Sequence, residues 1–356
     1  MTIATQPAVR STPSLVDDDH EQVVVRQDPE TGLRFIVAVH STVLGPALGG
    51  MRLKRYPGGL REALEDVMGL ARTMTLKASA VGLDLGGGKS VMIDDGRADQ
   101  REARLEVAAK VIDGLGGAYI TAEDIGTTTA DMDHLARFTR FVTGRSIEHG
   151  GRGDPSPVTA ESVFQALRRG LRAATGSAEL DGRRIGVVGL GKVGYVLAAK
   201  LARAGARIVA CDLYPERSER FASEHGGEIV ASAEAIMATE LDVLAPCGTG
   251  ELIDDALARS IDCRVVVGAA NNPLTNRRIA RVLAQRGILY VPDFLANCGG
   301  LIHVALEWHG RGGEDELISG AMDRLDRAIA TAEAEDSTPL DVAERQALER
   351  VEAARR

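Results

Sequence analysis

The sequence predicts an α/β fold in two domains, the second of them a doubly wound parallel sheet. Three observations carry that prediction. Downstream of residue 184, short β-branched runs alternate with helix-period stretches, the order that builds a parallel sheet with helices on both faces. The first of those runs leads at once into Gly189-Leu190-Gly191-Lys192-Val193-Gly194 and then into a helical pattern, the strand–turn–helix setting in which such a glycine spacing has meaning. Upstream, Gly150-Gly151-Arg152-Gly153-Asp154-Pro155-Ser156-Pro157 is the clearest break in composition, since glycine and proline disfavour helix and strand alike. It divides the 356 residues into parts spanning 1–150 and 151–325, with C-terminal helices over 326–356 expected to pack back on the interface between them.

The elements follow in order. The first twenty residues carry no periodic apolar pattern and read as a loose tail. Val23-Val24-Val25 and Phe35-Ile36-Val37-Ala38-Val39, joined by Asp28-Pro29-Glu30-Thr31-Gly32, read as an antiparallel hairpin. Leu60, Ala63, Leu64, Val67, Leu70, Ala71 and Met74 recur at helical spacing, which puts Lys77 just past the helix end. A strand over Ser90–Ile93, a helix from Arg101 to Leu115 and a strand over Ala118–Ile120 come next, with Asp124 on the loop beyond. The second part opens with a helix near Thr159. Its strands are expected over Ile185–Val188, Ile208–Cys211, Ile229–Val230, Val243–Ala245, Val265–Val267 and Ile288–Val291. Beyond Trp308, helices over Glu314–Ala334 and Val342–Arg355 flank Ser337-Thr338-Pro339.

Composition removes several classes of function. A net charge of -9 argues against nucleic acid and anionic membranes as partners, because both need a basic footprint. Aromatics at 3% leave no platform for stacking bases. No apolar run approaches the roughly 18 residues of a membrane helix, and Met1-Thr2-Ile3-Ala4-Thr5-Gln6 lacks a signal pattern, so a cytoplasmic protein is expected. Cys211, Cys247, Cys263 and Cys298 are far apart and the seven histidines are scattered; no metal site is expected.

The glycine turn predicts a Rossmann dinucleotide site. Gly189 permits the tight turn, Gly191 lets backbone approach a pyrophosphate, and Gly194 lets helix and strand pack closely. The free N–H groups of the following helix face the phosphates. Asp212, at the end of the next strand, is placed to accept from ribose hydroxyls and repel a 2′-phosphate, which favours NAD, although Arg217 lies close in sequence.

Two lysines follow glycine-rich or apolar settings in the first part. Lys77 precedes Ala78-Ser79-Ala80-Val81, and Lys89 follows three glycines that are expected to let backbone approach a ligand. Partial burial beside a second cation depresses an ammonium pKa, which fits a lysine for proton chemistry. Asp124, in Thr121-Ala122-Glu123-Asp124, is a candidate proton relay; alone, it reads as a loop or capping aspartate.

These residues resemble the family of amino acid dehydrogenases acting on glutamate, leucine, valine and phenylalanine, over roughly Glu21 to Gly310. The resemblance is carried by Gly45-Pro46-Ala47-Leu48-Gly49-Gly50-Met51-Arg52, Met74-Thr75-Leu76-Lys77, Gly82-Leu83-Asp84-Leu85-Gly86-Gly87-Gly88-Lys89, Thr121-Ala122-Glu123-Asp124, Pro155-Ser156-Pro157-Val158-Thr159, Gly268-Ala269-Ala270-Asn271-Asn272 and Pro292-Asp293-Phe294-Leu295-Ala296-Asn297-Cys298-Gly299-Gly300. It implies that an L-amino acid, NAD and water give a 2-oxo acid, ammonium and NADH. It further implies that Lys77 binds the substrate carboxylate, Lys89 activates water, and Asp124 exchanges protons with the amino group. Asn271 would sit where nicotinamide meets substrate, with Gly49 and Gly50 lining the pocket. The cofactor would draw on Gly189, Leu190, Gly191, Lys192, Val193, Gly194, Tyr195, Asp212, Leu213, Cys247, Gly248, Ala269, Ala270, Asn271 and Thr159.

Substrate choice follows from departures within the resemblance. Leu48 stands where glutamate enzymes place a lysine, and a γ-carboxylate there would be desolvated without a partner. Ala122 and Val304 are similar to the leucine and valine branch, whereas the stretch from Ala296 to His303 is similar to phenylalanine enzymes. Leu301 is bulkier than the valine common in leucine enzymes and narrows the pocket. The expected substrate is valine, leucine or isoleucine, with phenylalanine the alternative and a non-catalytic NAD or amino-acid sensor the rival from another class. A homo-oligomer is expected.

Overall fold

The computed structural model describes residues 19–96, 100–248 and 250–356; the expected tail lies almost wholly outside them. Strands β1 (Gln22–Asp28), β2 (Leu33–Ser41), β3 (Ala47–Lys54), β4 (Gly86–Ile93) and β5 (Tyr119–Glu123) form one mixed sheet in the order β1-β2-β4-β3-β5. The hairpin β1–β2 is antiparallel as the turn chemistry predicts, while β3 runs parallel to both β4 and β5. Helix α1 (Gly59–Ala80) covers one face, its Ala63, Val67 and Ala71 packing with Ile36, Ala38 and Val91. Helices α2 (Arg101–Gly114) and α3 (Thr129–Leu135) cover the other, burying Leu105, Ile112, Met132 and Leu135 against Phe35, Val37 and Met51. A reciprocal Thr128–Asp131 capping box starts α3.

Two of the boundaries that differ from the sequence expectation bear on the lysines. Helix α1 continues through Lys77 to Ala80, because Ala78, Ser79 and Ala80 are buried and Ser79 donates to the Ala347 carbonyl. Lys77 therefore sits in the last helical turn. Strand β4 begins at Gly86, so Lys89 lies within it. The three glycines do not leave room for a ligand: a Cβ on Gly86 would fall 1.8 Å from the Ser41 oxygen, on Gly87 2.0 Å from the Thr75 nitrogen, and on Gly88 2.7 Å from the Tyr119 ring. Their bareness is what lets α1 and Tyr119 close on the sheet.

The second sheet is all parallel, in the order β11-β10-β9-β6-β7-β8. Its strands are β6 (Arg184–Val188), β7 (Arg207–Cys211), β8 (Glu228–Ile229), β9 (Val243–Pro246), β10 (Val265–Val266) and β11 (Leu289–Tyr290). Helices α4 (Ser156–Thr175), α5 (Lys192–Arg203), α6 (Pro215–His225), α7 (Ala233–Met237), α8 (Asp255–Ser260) and α9 (Arg278–Gln285) accompany it. The chain then forms α10 (Asp293–Ala296), α11 (Gly299–His309), α12 (Glu314–Ala334) and α13 (Pro339–Arg355). Chain order reverses between β6 and β9, the place where such sheets open a crevice beyond their strand ends. The largest apolar core is continuous from Leu48, Ala78 and Val81 through this sheet to Leu340 and Ala347.

Candidate active site

Strand register builds the centre of the site. Leu48 pairs with Gly87 and Met51 with Ser90, an offset of 39 at both places, so Lys89 stands beside Gly50; Gly50 in turn pairs with Ala122. Neighbours across a sheet share a face, so Lys89, the bare Gly50 and Ala122 form one row, with Leu48 a row below. The hydroxyl of buried Tyr119 donates to the Gly49 carbonyl at 2.6 Å. A Cβ on Gly50 would meet Asp124 Cβ at 2.8 Å; the glycine clears the space that the aspartate needs.

Lys89 is buried, and its Nζ lies 2.9 Å from Asp124 Oδ2. Arg52 Nε donates to the same oxygen at 2.9 Å, its Nη1 reaches Asp66 at 3.1 Å, and Tyr56 donates to Asp66 at 2.6 Å. Burial lowers the Lys89 pKa below the ordinary lysine value, and the Asp124 carboxylate recovers only part of the loss. Burial acts to raise Asp124, but Lys89 and Arg52 outweigh it and hold the carboxyl below its ordinary range. Arg52, Asp66 and Tyr56 were not singled out by the sequence. Arg52 had a detectable signal, two residues from Gly50 on the same strand face; Asp66 had none, since its role comes from how α1 lies on the sheet.

Lys77 Nζ donates to Asn297 Oδ1 at 2.7 Å, and Asn297 Nδ2 donates to Asn271 Oδ1 at 2.9 Å and to the Ala269 carbonyl at 3.1 Å. This chain links the end of α1 to the loops after β10 and α10. Burial lowers the Lys77 pKa, Asp293 and Cys298 oppose that, and nearby Lys89 adds to it. The two lysines thus share one electrostatic environment. Asn297 lies inside a motif quoted from the sequence, yet its bridging position emerges only in three dimensions.

The apolar wall comes from several elements. Leu48, Ala122 and Leu301 are buried. Thr143 donates to the Val304 carbonyl at 2.8 Å, and a Cβ on Gly144 would lie 3.8 Å from both Ala122 Cβ and Val304 Cγ1. Gly144 therefore joins Ala122 and Val304, a role spacing alone did not reveal.

In the glycine turn, each glycine meets a different demand. Gly189 has φ +101° and packs on Gly248, where a Cβ would fall 2.7 Å from the amide nitrogen. A Cβ on Gly194 would fall 2.1 Å from the Gly189 oxygen and 2.9 Å from Cys247 Cβ. A Cβ on Gly191 would point into open space, the room a dinucleotide pyrophosphate needs. Helix α5 starts at Lys192 behind Gly191, and no side chain among the described residues caps it. Asp212 accepts from Leu190 N–H at 2.6 Å and Tyr214 N–H at 2.9 Å, with Arg217 at 3.4 Å. Leu213 beside it is exposed. Exposed Lys192 and half-buried Val193 begin α5, while Cys247, Gly248, Ala269 and Ala270 follow β9 and β10 at the same end of the sheet. Thr159 is held in the first turn of α4 by its bond to the Pro155 carbonyl and faces Gly300. Tyr195 follows in the first turn of α5. Its N–H is taken by the Gly191 carbonyl and its hydroxyl by Glu224, and its ring packs on Phe221. Its backbone and hydroxyl thus tie the start of α5 to its own first turn and to α6.

A parallel sheet with an open glycine turn, set against a buried lysine–aspartate pair, defines a dinucleotide-dependent oxidoreductase. Residues 20–141 match the Glu/Leu/Phe/Val dehydrogenase dimerisation domain, and residues 215–356 the Glutamate/Leucine/Phenylalanine/Valine dehydrogenase domain. Residues 160–246 match the NAD binding domain of D-isomer specific 2-hydroxyacid dehydrogenases. The chain is 41% identical to a leucine dehydrogenase from Thermoactinomyces intermedius, covering 95% of this chain and 92% of that one. It is 45% identical to a valine dehydrogenase from Streptomyces virginiae over 82% of each. Its fold matches an L-tryptophan dehydrogenase from Nostoc punctiforme with TM-score 0.81 and 30% identity, covering 95% of this chain and 97% of that one. The chain belongs to the Glu/Leu/Phe/Val dehydrogenase family. It is an amino acid dehydrogenase of the leucine and valine branch, an oxidoreductase acting on CH–NH2 donors.

Proposed function

We propose that the protein catalyses reversible, NAD-dependent oxidative deamination of valine, leucine or isoleucine. The observation that carries the substrate class is the row Lys89, Gly50, Ala122 above Leu48: a proton-handling amine, a glycine that lets Asp124 come up to it, and an apolar floor in which Leu48 and Ala122 offer no charge to a side-chain carboxylate. Leu301 and Val304 limit ring-sized side chains, which weighs against phenylalanine. The intact Lys89–Asp124 pair weighs against a non-catalytic sensor, which has no use for proton transfer.

In this reading, NAD held at the glycine turn would supply the hydride acceptor. Lys77 Nζ grips the substrate carboxylate. Asp124 exchanges a proton with the amino group, and Lys89 Nζ, depressed by burial, takes a proton from the water that attacks the imino carbon. Asn271 orients substrate beside the cofactor. Asp212 favours NAD over NADP through its carboxylate, with Arg217 tied to that carboxylate and so drawn from a 2′-phosphate. Gly189, Gly191 and Gly194 hold the pyrophosphate turn.

Residues 1–150, 151–325 and 326–356 are assigned as substrate domain, dinucleotide domain and C-terminal helices, supported by the two sheets forming on either side of residue 150. Assembly as a homo-oligomer is supported by the match to a dimerisation domain. A cytoplasmic setting is supported by four free cysteines, since reduced thiols persist in reducing compartments.

Initial rates with valine, leucine, isoleucine, phenylalanine and glutamate, each with NAD and NADP at equal concentration, test the proposal. The aliphatic substrates should lead with NAD, within about 10–200-fold of one another. A lead for glutamate, or no turnover with any amino acid despite NADH binding, overturns it.

A further inference from the structure

Between α1, α10, α12 and α13 lies a cavity of about 170 Å³, whose lining includes Ser79, Leu295, Arg324, Arg327 and Arg350. Three arginines line it, and no aspartate or glutamate among the described residues does. Arg324 is seated against Gly82, its guanidinium atoms 2.3 to 2.9 Å from where a Cβ would stand, and donates only to the Gly320 carbonyl of its own helix. Arg350 donates to the Leu83 carbonyl and to Asp84, whose side chain is 82% exposed. Burial, then repulsion from Arg327 and Arg350, lowers the Arg324 pKa, and Asp323 alone opposes them. Arg324 and Arg350 are half-buried and Arg327 exposed, and among the described residues Arg350 alone of the three has a carboxylate partner, so the lining carries an excess of positive charge that an anion would balance.

We propose that this cavity is an anion site that takes a small, doubly charged oxyanion of the phosphate class. The volume equals about six waters at about 30 Å³ each, enough for a tetrahedral oxyanion with part of its hydration and below the roughly 300 Å³ of a nucleotide-sized pocket. Guanidinium forks match phosphoryl oxygens in pairs. The site is distinct from the glycine turn, where phosphates of the dinucleotide would lie. Its lining residues Ser79 and Leu295 stand two positions from Lys77 and Asn297 respectively, so an ion here braces the helices that carry that contact.

Isothermal titration of the full chain, saturated with NADH so that the glycine turn is filled and kept at constant ionic strength with sodium chloride, tests the site. Inorganic phosphate should bind once per chain. Arg324→Gln/Arg327→Gln should weaken binding at least tenfold, while Arg327→Lys retains it to within a few fold. A glycerol 3-phosphate arm separates the sources: tighter binding than inorganic phosphate assigns the site to a phosphorylated metabolite, equal or weaker binding to the free ion. Removing like charge should leave the double variant folded with unchanged circular dichroism. Phosphate heat undiminished in the double variant, or absent in the parent at millimolar concentration, overturns the proposal.

Discussion

Asp124 Oδ2 receives both Lys89 and Arg52, so three residues share one titrating centre and none can be changed alone without moving the others. The field of Arg52 pushes the Lys89 pKa down. Arg52→Gln removes that push, so the limb of the pH–rate profile on which Lys89 loses its proton should move to higher pH, with kcat/KM near pH 7 about tenfold lower. A profile that keeps its position while only its height falls would assign Arg52 to packing. The lysines themselves should separate by kinetic signature. Lys89→Ala should abolish turnover with NADH binding intact, whereas Lys77→Ala should chiefly raise KM for the amino acid; loss of NADH binding in the first would show the role misassigned. At this scale Lys77, Lys89 and Asp124 were legible because each stands in a distinctive local motif. Asp66, Tyr56 and Asn297 were not, since each earns its position through contacts made across at least ten residues of chain.

Elements explain why glycines that look alike in sequence differ in consequence. Gly191→Ala meets open space and Gly194→Ala meets the Gly189 carbonyl and Cys247. The first should leave Tm unchanged and weaken NADH binding by about tenfold; the second should lower stability by about 1–3 kcal/mol. Calorimetry and NADH titration of the two variants check this, and equal Tm losses would refute the division of labour. The alternating strands and helices after residue 184 were readable from apolar period alone. Strand β3 was not: Gly49 and Gly50 interrupt the β-branched signal, and both faces of Ala47–Met51 are buried, so no alternation survives to be seen. The end of α1 was misplaced for a related reason, because Ala78 and Ala80 are too small to announce the core they enter.

At the scale of the whole molecule, the two-sheet architecture was legible, since a fingerprint between strand and helix and a glycine–proline break are local signals. What escaped was the continuity of the core from Leu48 on the mixed sheet to Ala347 on the last helix, which joins segments nearly three hundred positions apart. No helix among the described residues is long and apolar enough to cross a membrane. The row of Lys89, Gly50 and Ala122 carries one more implication. On the proposed reading the amine belongs to β4, whereas Leu48 and Ala122, which would shape what enters, belong to β3 and β5, and α11 would add Leu301 and Val304. Reagent and mould are separately adjustable. On that reading, exchanging Ala122, Leu301 or Val304 would admit a new side chain while the groups proposed to handle the amino nitrogen stay where they are, which would give one scaffold many diets.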